Sequence, residues 1–306
     1  MPAAAPPADR LLLGMGLRIV AATSFAVMAA LLKAASGRGA DTIEMIFYRS
    51  VGALPLVLAW AALGPGLRSL ATRRPLAHLT RSVIGTTTMF FTFGALSLLP
   101  LGEATTITYT APVLSTILSA VLLREAIGVR RWAAVALGFA GMLLIVRPGS
   151  GGSLAPLGVA LAIMAALGQS AVMITLRQIG KTEATAATVF WFTIFGALVG
   201  GSLLPFFGHS HDATTYALLI GGGLCGGIGQ ISMTGSLRYA PVSVVVPFDY
   251  LQILWAIFIG WLVFASPPAG TALAGAALIA AGGIYTAYRE RRMGEDPKQA
   301  LAPPEG

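Results

Sequence analysis

The sequence has 306 residues, of which 56% are hydrophobic and only 10% are charged, and its mean hydropathy is +0.80. About a quarter of the residues of a soluble domain are charged, so this composition excludes a soluble globular protein and indicates a polytopic membrane protein. The net charge of +8 does not indicate nucleic-acid binding, because the basic residues fall in short clusters between apolar runs and form no basic face.

Ten apolar segments approach the length needed to cross a bilayer, which is roughly 20 residues for a helix. The first segment is longer than the hydrophobic part of a signal peptide, so we interpret it as a retained helix. The loops between the segments are short and leave no room for a soluble domain. The predicted spans are residues 14–35, 43–63, 80–98, 103–123, 132–147, 156–176, 185–206, 215–236, 240–264 and 270–288.

The positions of Lys and Arg predict the orientation, because cytoplasmic loops carry an excess of both residues. A cytoplasmic N-terminus puts most of them on the inner side, including the group from Arg68 to Arg81 and the basic residues after 288. We therefore predict that residues 1–13 and 289–306 are cytoplasmic tails. An even number of spans agrees with this orientation.

The sequence also contains signs of an internal duplication, with residues 14–147 and 156–288 as the two copies. The matches keep their order and a constant offset, as a repeat requires. The aligned pairs include Gly94 with Gly235, Pro100 with Pro241, and Tyr109 with Tyr250. Because each copy holds an odd number of spans, the two must insert with opposite orientations. We predict an all-α fold of ten transmembrane helices, built as two inverted five-helix repeats.

The residues of the first half resemble a known family. Residues 38–50 read RGADTIEMIFYRS, with an Arg in the second span, and residues 95–149 read ALSLLPLGEATTITYTAPVLSTILSAVLLREAIGVRRWAAVALGFAGMLLIVRPG. Together with the two five-helix halves, these stretches resemble EamA-type members of the drug/metabolite transporter superfamily over nearly the whole chain. The resemblance implies an exporter or importer of small metabolites, such as amino acids and related compounds.

Asp249 is a carboxylate near mid-depth of the ninth span, about nine residues from its start at roughly 1.5 Å per residue. A charge at the bilayer centre costs ~2.5 kcal/mol or more, so such residues face the protein interior or a water-filled cavity. We predict that Asp249 binds a substrate amine or couples transport to a proton, because burial favours the protonated carboxyl. The alternative is a structural carboxylate that is paired with Arg49 or with a backbone amide.

Two helices that the duplication relates carry polar stripes. In the ninth span, Asp249 is followed by Tyr250 and by Gln252 on a nearby face, and Pro247 removes a backbone donor. The stripe of the fourth span consists of Thr105, Thr108, Tyr109, Pro112, Ser115 and Thr116. Thr108 is the counterpart of Asp249, whereas the two tyrosines match. We predict that the stripes face each other across a central cavity and bind substrate.

Arg49 is a charged residue inside the second span, with Glu44 about one turn before it. The planar guanidinium fits a carboxylate or a phosphate, which makes Arg49 a candidate substrate ligand. The alternative is a structural partner for Glu44 or Asp249 that holds spans together. The aligned position in the second half is Thr193.

Other residues of the spans are weaker candidates for the substrate site. Gln169 and Gln230 either line the cavity or form hydrogen bonds between helices. Trp255 either stacks on a flat substrate or packs in the core or against lipid. The run GGGLCGGIG, residues 221–229, has small-xxx-small spacing that indicates close helix packing rather than nucleotide binding.

The sequence predicts no cofactor and no metal site. Cys225 is the only cysteine, and His209 and His211 lie in a loop without a third strong ligand. No ATP-binding motif is present. We therefore predict a secondary transporter rather than an enzyme, which moves a small metabolite across the cytoplasmic (inner) membrane by alternating access and draws energy from a gradient, with Asp249 as the candidate proton-coupling residue.

Two alternatives stay open at this point. A passive channel or membrane scaffold would keep the helices without needing Asp249. An intramembrane lipid-modifying enzyme would need clustered catalytic carboxylates or histidines near one membrane face, whereas those of this sequence are isolated. The expected partners are the metabolite and the lipid bilayer, and the oligomeric state is left open.

Overall fold

The computed structural model describes residues 8–111, 114, 129–146, 154–180, 182–240 and 242–294. All regular structure in this part of the chain is helical. The α-helices are α1 (Ala8–Ser36), α2 (Thr42–Leu63), α3 (Pro75–Leu98), α4 (Leu101–Thr108), α5 (Val129–Val146), α6 (Pro156–Ile179), α7 (Thr185–Phe207), α8 (Ala213–Tyr239), α9 (Val242–Val245), α10 (Leu251–Phe264) and α11 (Gly270–Gly294). Pro112, Ser115 and Thr116 of the predicted polar stripe lie outside the described residues.

Several of these helices have the length and composition of membrane spans. The six that qualify among the described residues are Leu11–Ser36, Thr42–Leu63, Pro156–Leu176, Thr185–Phe207, Ala213–Ser236 and Pro247–Phe264. Shorter apolar helical stretches cover Ala136–Val146 and Gly270–Gly282. The prediction of an all-helical polytopic membrane protein is confirmed, whereas the count of ten spans, the inverted repeat and the cytoplasmic termini stay predictions.

The start of α2 is fixed by its own sequence. The Asp41 carboxylate accepts a hydrogen bond from the Ile43 amide (2.8 Å), and the Glu44 carboxylate accepts one from the Asp41 amide (2.7 Å). This reciprocal arrangement is a capping box, which satisfies amides that the first turn of a helix leaves free. It also holds the Glu44 side chain at the end of the bundle where α2 begins.

The helices pack in pairs around a shared interior. Helix α1 lies along α8 and α3 along α6, while α2 contacts both α7 and α8. Helix α4 packs on α10, and α5 packs on α11. A Cβ atom added to Gly223 of α8 would stand 2.9 Å from the Gly52 Cα atom of α2. The predicted close packing through the glycine-rich run is confirmed.

The predicted span 240–264 is not one continuous α-helix. The single turn α9 is followed by a 3-10 helix (Val246–Tyr250), and α10 begins at Leu251. Pro247 stands at the start of the 3-10 segment, where its missing N–H interrupts the α-helical hydrogen bonding. Asp249 therefore lies in the irregular turn that precedes α10.

Loops meet at both ends of the bundle. At one end, which we call the basic end, the Arg74 guanidinium donates to the Thr182 hydroxyl (3.1 Å), and the Trp191 indole donates to the Leu70 carbonyl (3.0 Å). At the other, which we call the histidine end, Arg38 pairs with Asp212 over 2.7 Å. These contacts join the segment before α3 to α7 and the loop before it, and the loop after α1 to the loop before α8.

Candidate functional site

Asp249 forms a bidentate ion pair with Arg18 of α1. The Nε and Nη2 atoms of Arg18 donate to the two carboxylate oxygens of Asp249, each over 2.5 Å. The Arg18 side chain is 3% exposed and that of Asp249 is 21% exposed. The partner is thus Arg18, which the sequence analysis did not single out, and not Arg49. Parallel donation to both oxygens is the strongest arrangement for this kind of pair.

Arg18 also connects this pair to α8. Its Nη1 atom is 3.4 Å from the carbonyl oxygen of Met233 and donates to it. One guanidinium therefore joins α1, α8 and the 3-10 turn before α10. A change at Asp249 that releases Arg18 would therefore alter the contacts among all three elements.

The two predicted polar stripes meet next to this pair. The Tyr109 hydroxyl donates to the Gln252 side-chain oxygen over 2.6 Å, and the Tyr109 and Tyr250 ring centres are 5.9 Å apart. The Thr108 hydroxyl is satisfied within its own helix by the Ala104 carbonyl (2.9 Å). The stripes therefore face each other as predicted, but at these residues they touch directly and are not separated by a cavity.

Arg49 is also buried in the bundle and is 5% exposed. Its Nη1 atom donates to the Met89 sulfur (3.5 Å), and its guanidinium carbon is 5.2 Å from the centre of the Phe192 ring. The Nε atom has no hydrogen-bond partner among the described residues. Neither predicted structural partner is bound to it, because Asp249 pairs with Arg18 and Glu44 binds elsewhere.

Arg81 was counted with the basic residues of the cytoplasmic side, at the start of the predicted span 80–98, and the structure places it deeper in a longer helix. Helix α3 begins at Pro75, so Arg81 stands in its second turn, where it is 4% exposed. Its guanidinium carbon is 4.4 Å from the Phe192 ring centre. Two buried arginines thus share one aromatic ring.

Helix α8 links the surroundings of Arg49 and Arg18. Gly226 has no side chain to displace Arg49, whose Nε atom would be 3.3 Å from an added Cβ. Gln230 lies four residues after Gly226, and Met233 lies three residues after Gln230, so all three are on the same helical face. Gln230 is 8% exposed, and its position along α8 is between the residues that approach the two arginines.

The remaining candidates are farther from this centre. Gln169 is half-buried on α6, next to Ser170, whose hydroxyl donates to the Ala111 carbonyl (2.7 Å). Trp255 is 39% exposed on an outer face of α10 and contacts the Phe258 ring edge-on. The structure does not bring Trp255 together with Tyr109 and Tyr250.

The carboxylate of Glu44 binds the loop before α8 at the histidine end. It accepts a hydrogen bond from the His209 amide (2.9 Å), and the Nε2 atom of His211 lies 2.9 Å from the same oxygen. The Glu44 side chain is 1% exposed. The two histidines of the loop therefore hold α2, and within the described part of the chain no group of three or more potential ligands is placed to bind a metal ion.

A second buried His–Glu pair lies at the basic end. The His78 Nε2 atom is 3.1 Å from a carboxylate oxygen of Glu183. Burial raises the pKa of Glu183, but hydrogen bonds from His78, Thr72 and the Arg73 amide outweigh it and hold the pKa below its usual value. The ionised carboxylate is therefore the stable form at neutral pH, and it stabilises the contact between α3 and the loop before α7.

Comparison with known proteins gives a consistent result. The EamA-like transporter family matches residues 12–147 and again residues 156–288. A riboflavin transporter of Rhizobium johnstonii is 29% identical over 236 residues, which is 76% of this chain and 76% of that protein. The pseudopaline exporter CntI of Pseudomonas aeruginosa is 27% identical over 273 residues, with 89% of this chain and 94% of the exporter covered.

Two further similarities extend over most of the chain. An S-adenosylmethionine uptake transporter of Rickettsia conorii is 22% identical over 251 residues, which cover 80% of this chain and 81% of the transporter. A solved crystal structure with 21% sequence identity superposes with a TM-score of 0.63 and covers 94% of this chain and 99% of its own. This last similarity shows a shared fold.

Proposed function

This chain belongs to the EamA-like transporter family, and from that premise we propose that it carries a small metabolite across the membrane by alternating access. It is a multi-pass membrane protein, which in bacteria places it in the inner membrane. The relatives transport riboflavin, pseudopaline or S-adenosylmethionine. These names support a small organic substrate, and we propose an amino acid or a related compound.

The observation that carries the proposal is the Arg18–Asp249 pair at the break before α10. Transporter sites commonly occur where a spanning helix is interrupted and its polar groups face the interior. Here the interruption places a carboxylate, a guanidinium and the Tyr109–Gln252 hydrogen bond side by side. A substrate amine that enters this centre would compete with Arg18 for Asp249.

A proton would act on the same pair in a different way. Protonation removes the charge of Asp249 and with it the strongest interaction of Arg18. The freed guanidinium is then available for an anionic part of the substrate, or for a new contact in the other state of the transporter. We propose that proton coupling, where it occurs, runs through Asp249 for this reason.

We propose that residues 14–147 and 156–288 move as two inverted halves, with both chain ends cytoplasmic. The packing supports such a symmetry, because the contact of α1 with α8 has its counterpart in the contact of α3 with α6. Under the inverted relation, α1 corresponds to α6 and α3 to α8. Rocking of one half against the other would open the basic end and the histidine end in turn.

The test is transport by the purified protein in proteoliposomes with an imposed pH gradient. The substrates offered are riboflavin, S-adenosylmethionine and the common amino acids. We expect the flux of Asp249→Asn to be at least about tenfold lower than that of the wild type. The loss of a charge–charge contact worth ~1.4 kcal/mol already gives a factor of ten. Thermal unfolding of the same preparations shows whether each variant is folded.

A double variant provides the matched control. Asp249→Asn leaves Arg18 buried without its partner, whereas Arg18→Gln combined with Asp249→Asn removes both charges. Loss of flux in a folded double variant supports a role for the pair in transport. Full flux in the double variant would make the pair structural and remove Asp249 from the mechanism.

A further inference from the structure

Two buried arginines of the first half face one aromatic ring of the second half. The guanidinium carbons of Arg49 and Arg81 lie 5.2 Å and 4.4 Å from the centre of the Phe192 ring. Arg49 belongs to α2, Arg81 to α3 and Phe192 to α7. The three helices thus place two positive charges beside the same aromatic ring.

Neither arginine has an acidic partner in the described part of the chain, where the ion pairs involve other groups. Buried polar atoms around them also lack hydrogen-bond partners there. These atoms are Nε of Arg49, Nε and Nη1 of Arg81, Oγ of Ser50 and Oγ1 of Thr86. Donors of this kind are almost always satisfied in folded proteins, so a cluster of five unsatisfied atoms requires an explanation.

Contact with the ring does not provide that explanation. A cation over an aromatic face gains less free energy than burial of an unpaired ion costs, even after the protein relaxes. Two like charges beside each other increase the cost further. The arrangement is favourable only when an anion joins it.

The glycines beside the cluster let its polar groups lie directly against the backbones of α3 and α7. A Cβ atom on Gly85 would collide with Nη1 of Arg81, and a Cβ atom on Gly196 would stand 2.5 Å from the Ser50 hydroxyl oxygen. The Thr86 hydroxyl oxygen lies 3.9 Å from the same point on Gly196. The hydroxyl groups of α2 and α3 therefore converge on the bare backbone of α7, one turn beyond Phe192.

We propose that Arg49 and Arg81 bind an oxyanion of the transported substrate, a carboxylate or a phosphate, with the Ser50 and Thr86 hydroxyls as additional donors. This inference rests on the proposed transport function, since its ligand is the transported molecule. Guanidinium groups bind both oxyanions through paired N–H donors. The site is distinct from the Arg18–Asp249 pair, to which α8 connects it through Gly226, Gln230 and Met233.

The first experiment measures thermal unfolding of the purified, ligand-free protein and needs no known substrate. Arg49→Met and Arg81→Met each remove a buried charge without a partner, so the unfolding temperature should stay unchanged or rise by roughly 2–4 °C. Arg18→Met is the control, because it leaves Asp249 unpaired and should lower the unfolding temperature. A fall for Arg49→Met and Arg81→Met that equals the fall for Arg18→Met would overturn the proposal.

The second experiment compares matched ligands by the rise in unfolding temperature that binding causes. The pairs are phenylalanine with phenylalaninamide, and riboflavin 5′-phosphate with riboflavin. We expect the member of a pair that carries the carboxylate or the phosphate to stabilise the wild type, and Arg49→Met and Arg81→Met to lose that effect. The pair that responds identifies the oxyanion as a carboxylate or a phosphate.

The outcomes separate this inference from the proposed function. Equal stabilisation by the members of a pair with and without the oxyanion group would overturn the oxyanion site and leave the transport proposal intact. If neither pair of ligands raises the unfolding temperature and proteoliposomes show no flux, the result counts against the transport proposal. The ligand-free comparison of the arginine variants still decides whether the oxyanion site exists.

Discussion

Arg18 and Asp249 neutralise each other inside the bundle, and each depends on the other for this. The guanidinium is 3% exposed and donates to both carboxylate oxygens. In the membrane interior neither charge can be hydrated fully, so the loss of one partner leaves the other unpaired. At the scale of single residues, the pair is therefore a stability element as well as a candidate site.

A thermodynamic cycle on this pair gives a direct prediction. Arg18→Met and Asp249→Leu should each reduce the free energy of unfolding by about 3–5 kcal/mol, because each leaves an uncompensated buried charge. The double variant should recover most of that loss, since it buries no charge. Thermal unfolding in detergent measures all four proteins, and additive single effects would show that the two side chains do not interact.

Helices α2 and α8 approach each other through glycines, and this seam is the clearest feature at the scale of elements. A Cβ atom on Gly223 would stand 2.5 Å from the Tyr48 carbonyl oxygen and 2.9 Å from the Gly52 Cα atom. Both are backbone atoms, which can move only if the helix moves. Close contact of this type provides much of the helix association in membranes.

A glycine-to-alanine pair on α8 tests this seam. Gly223→Ala should lower the free energy of unfolding by about 1–3 kcal/mol, because the added methyl group forces the backbones of α2 and α8 apart. Gly221→Ala is the matched control: its added Cβ would lie 3.5 Å from a Leu31 methyl group, an ordinary contact. Equal unfolding temperatures for the two variants would contradict the tight packing.

The features that follow from local pattern were predictable at this scale. The apolar spans and the small-xxx-small run depend on neighbouring residues and were recognised from the sequence. The start of α3 was not, because the polar turn that begins at Pro75 lowers the mean hydropathy of that stretch, and the span was therefore predicted to begin at residue 80, one residue before Arg81. The Pro247 break was anticipated as a lost backbone donor, although not as a 3-10 helix.

The pairing of charges was not predictable in the same way. Asp249 was recognised because a carboxylate interrupts an apolar run, but its partner Arg18 lies in the first helix, where no sequence pattern links it to Asp249. The choice between Arg18 and Arg49 depends on which helices are adjacent, a tertiary property that one sequence does not contain. A signal did exist, since Arg18 and Asp249 lie at a similar distance from the basic end.

At the scale of the whole molecule, contacts between loops join neighbouring helices at both ends of the bundle. Arg38 and Asp212 join the histidine end, and both side chains are about half exposed. Arg74 and Thr182 join the basic end. Alternating access requires these contacts to break one end at a time, with the centre at Asp249 enclosed between them.

Cross-linking tests this requirement. In a Cys225→Ser background, the pair Arg38→Cys and Asp212→Cys, or the pair Arg74→Cys and Thr182→Cys, is joined by a short bifunctional maleimide. Either cross-link should stop flux in proteoliposomes almost completely, since a transporter with one end fixed cannot complete its cycle. Samples with only one cysteine of a pair control for modification alone, and undiminished flux after cross-linking would contradict alternating access.

The two hydrogen bonds that Glu44 accepts make opening of the histidine end measurable by amide exchange. One carboxylate accepts hydrogen bonds from two backbone amides, that of Asp41 within the capping box and that of His209 across the loop contact. Opening of the end separates His209 from Glu44 but leaves the start of α2 intact, whereas fraying of α2 releases Asp41. Hydrogen–deuterium exchange at these two amides therefore distinguishes a gating motion from local unfolding, without any introduced label.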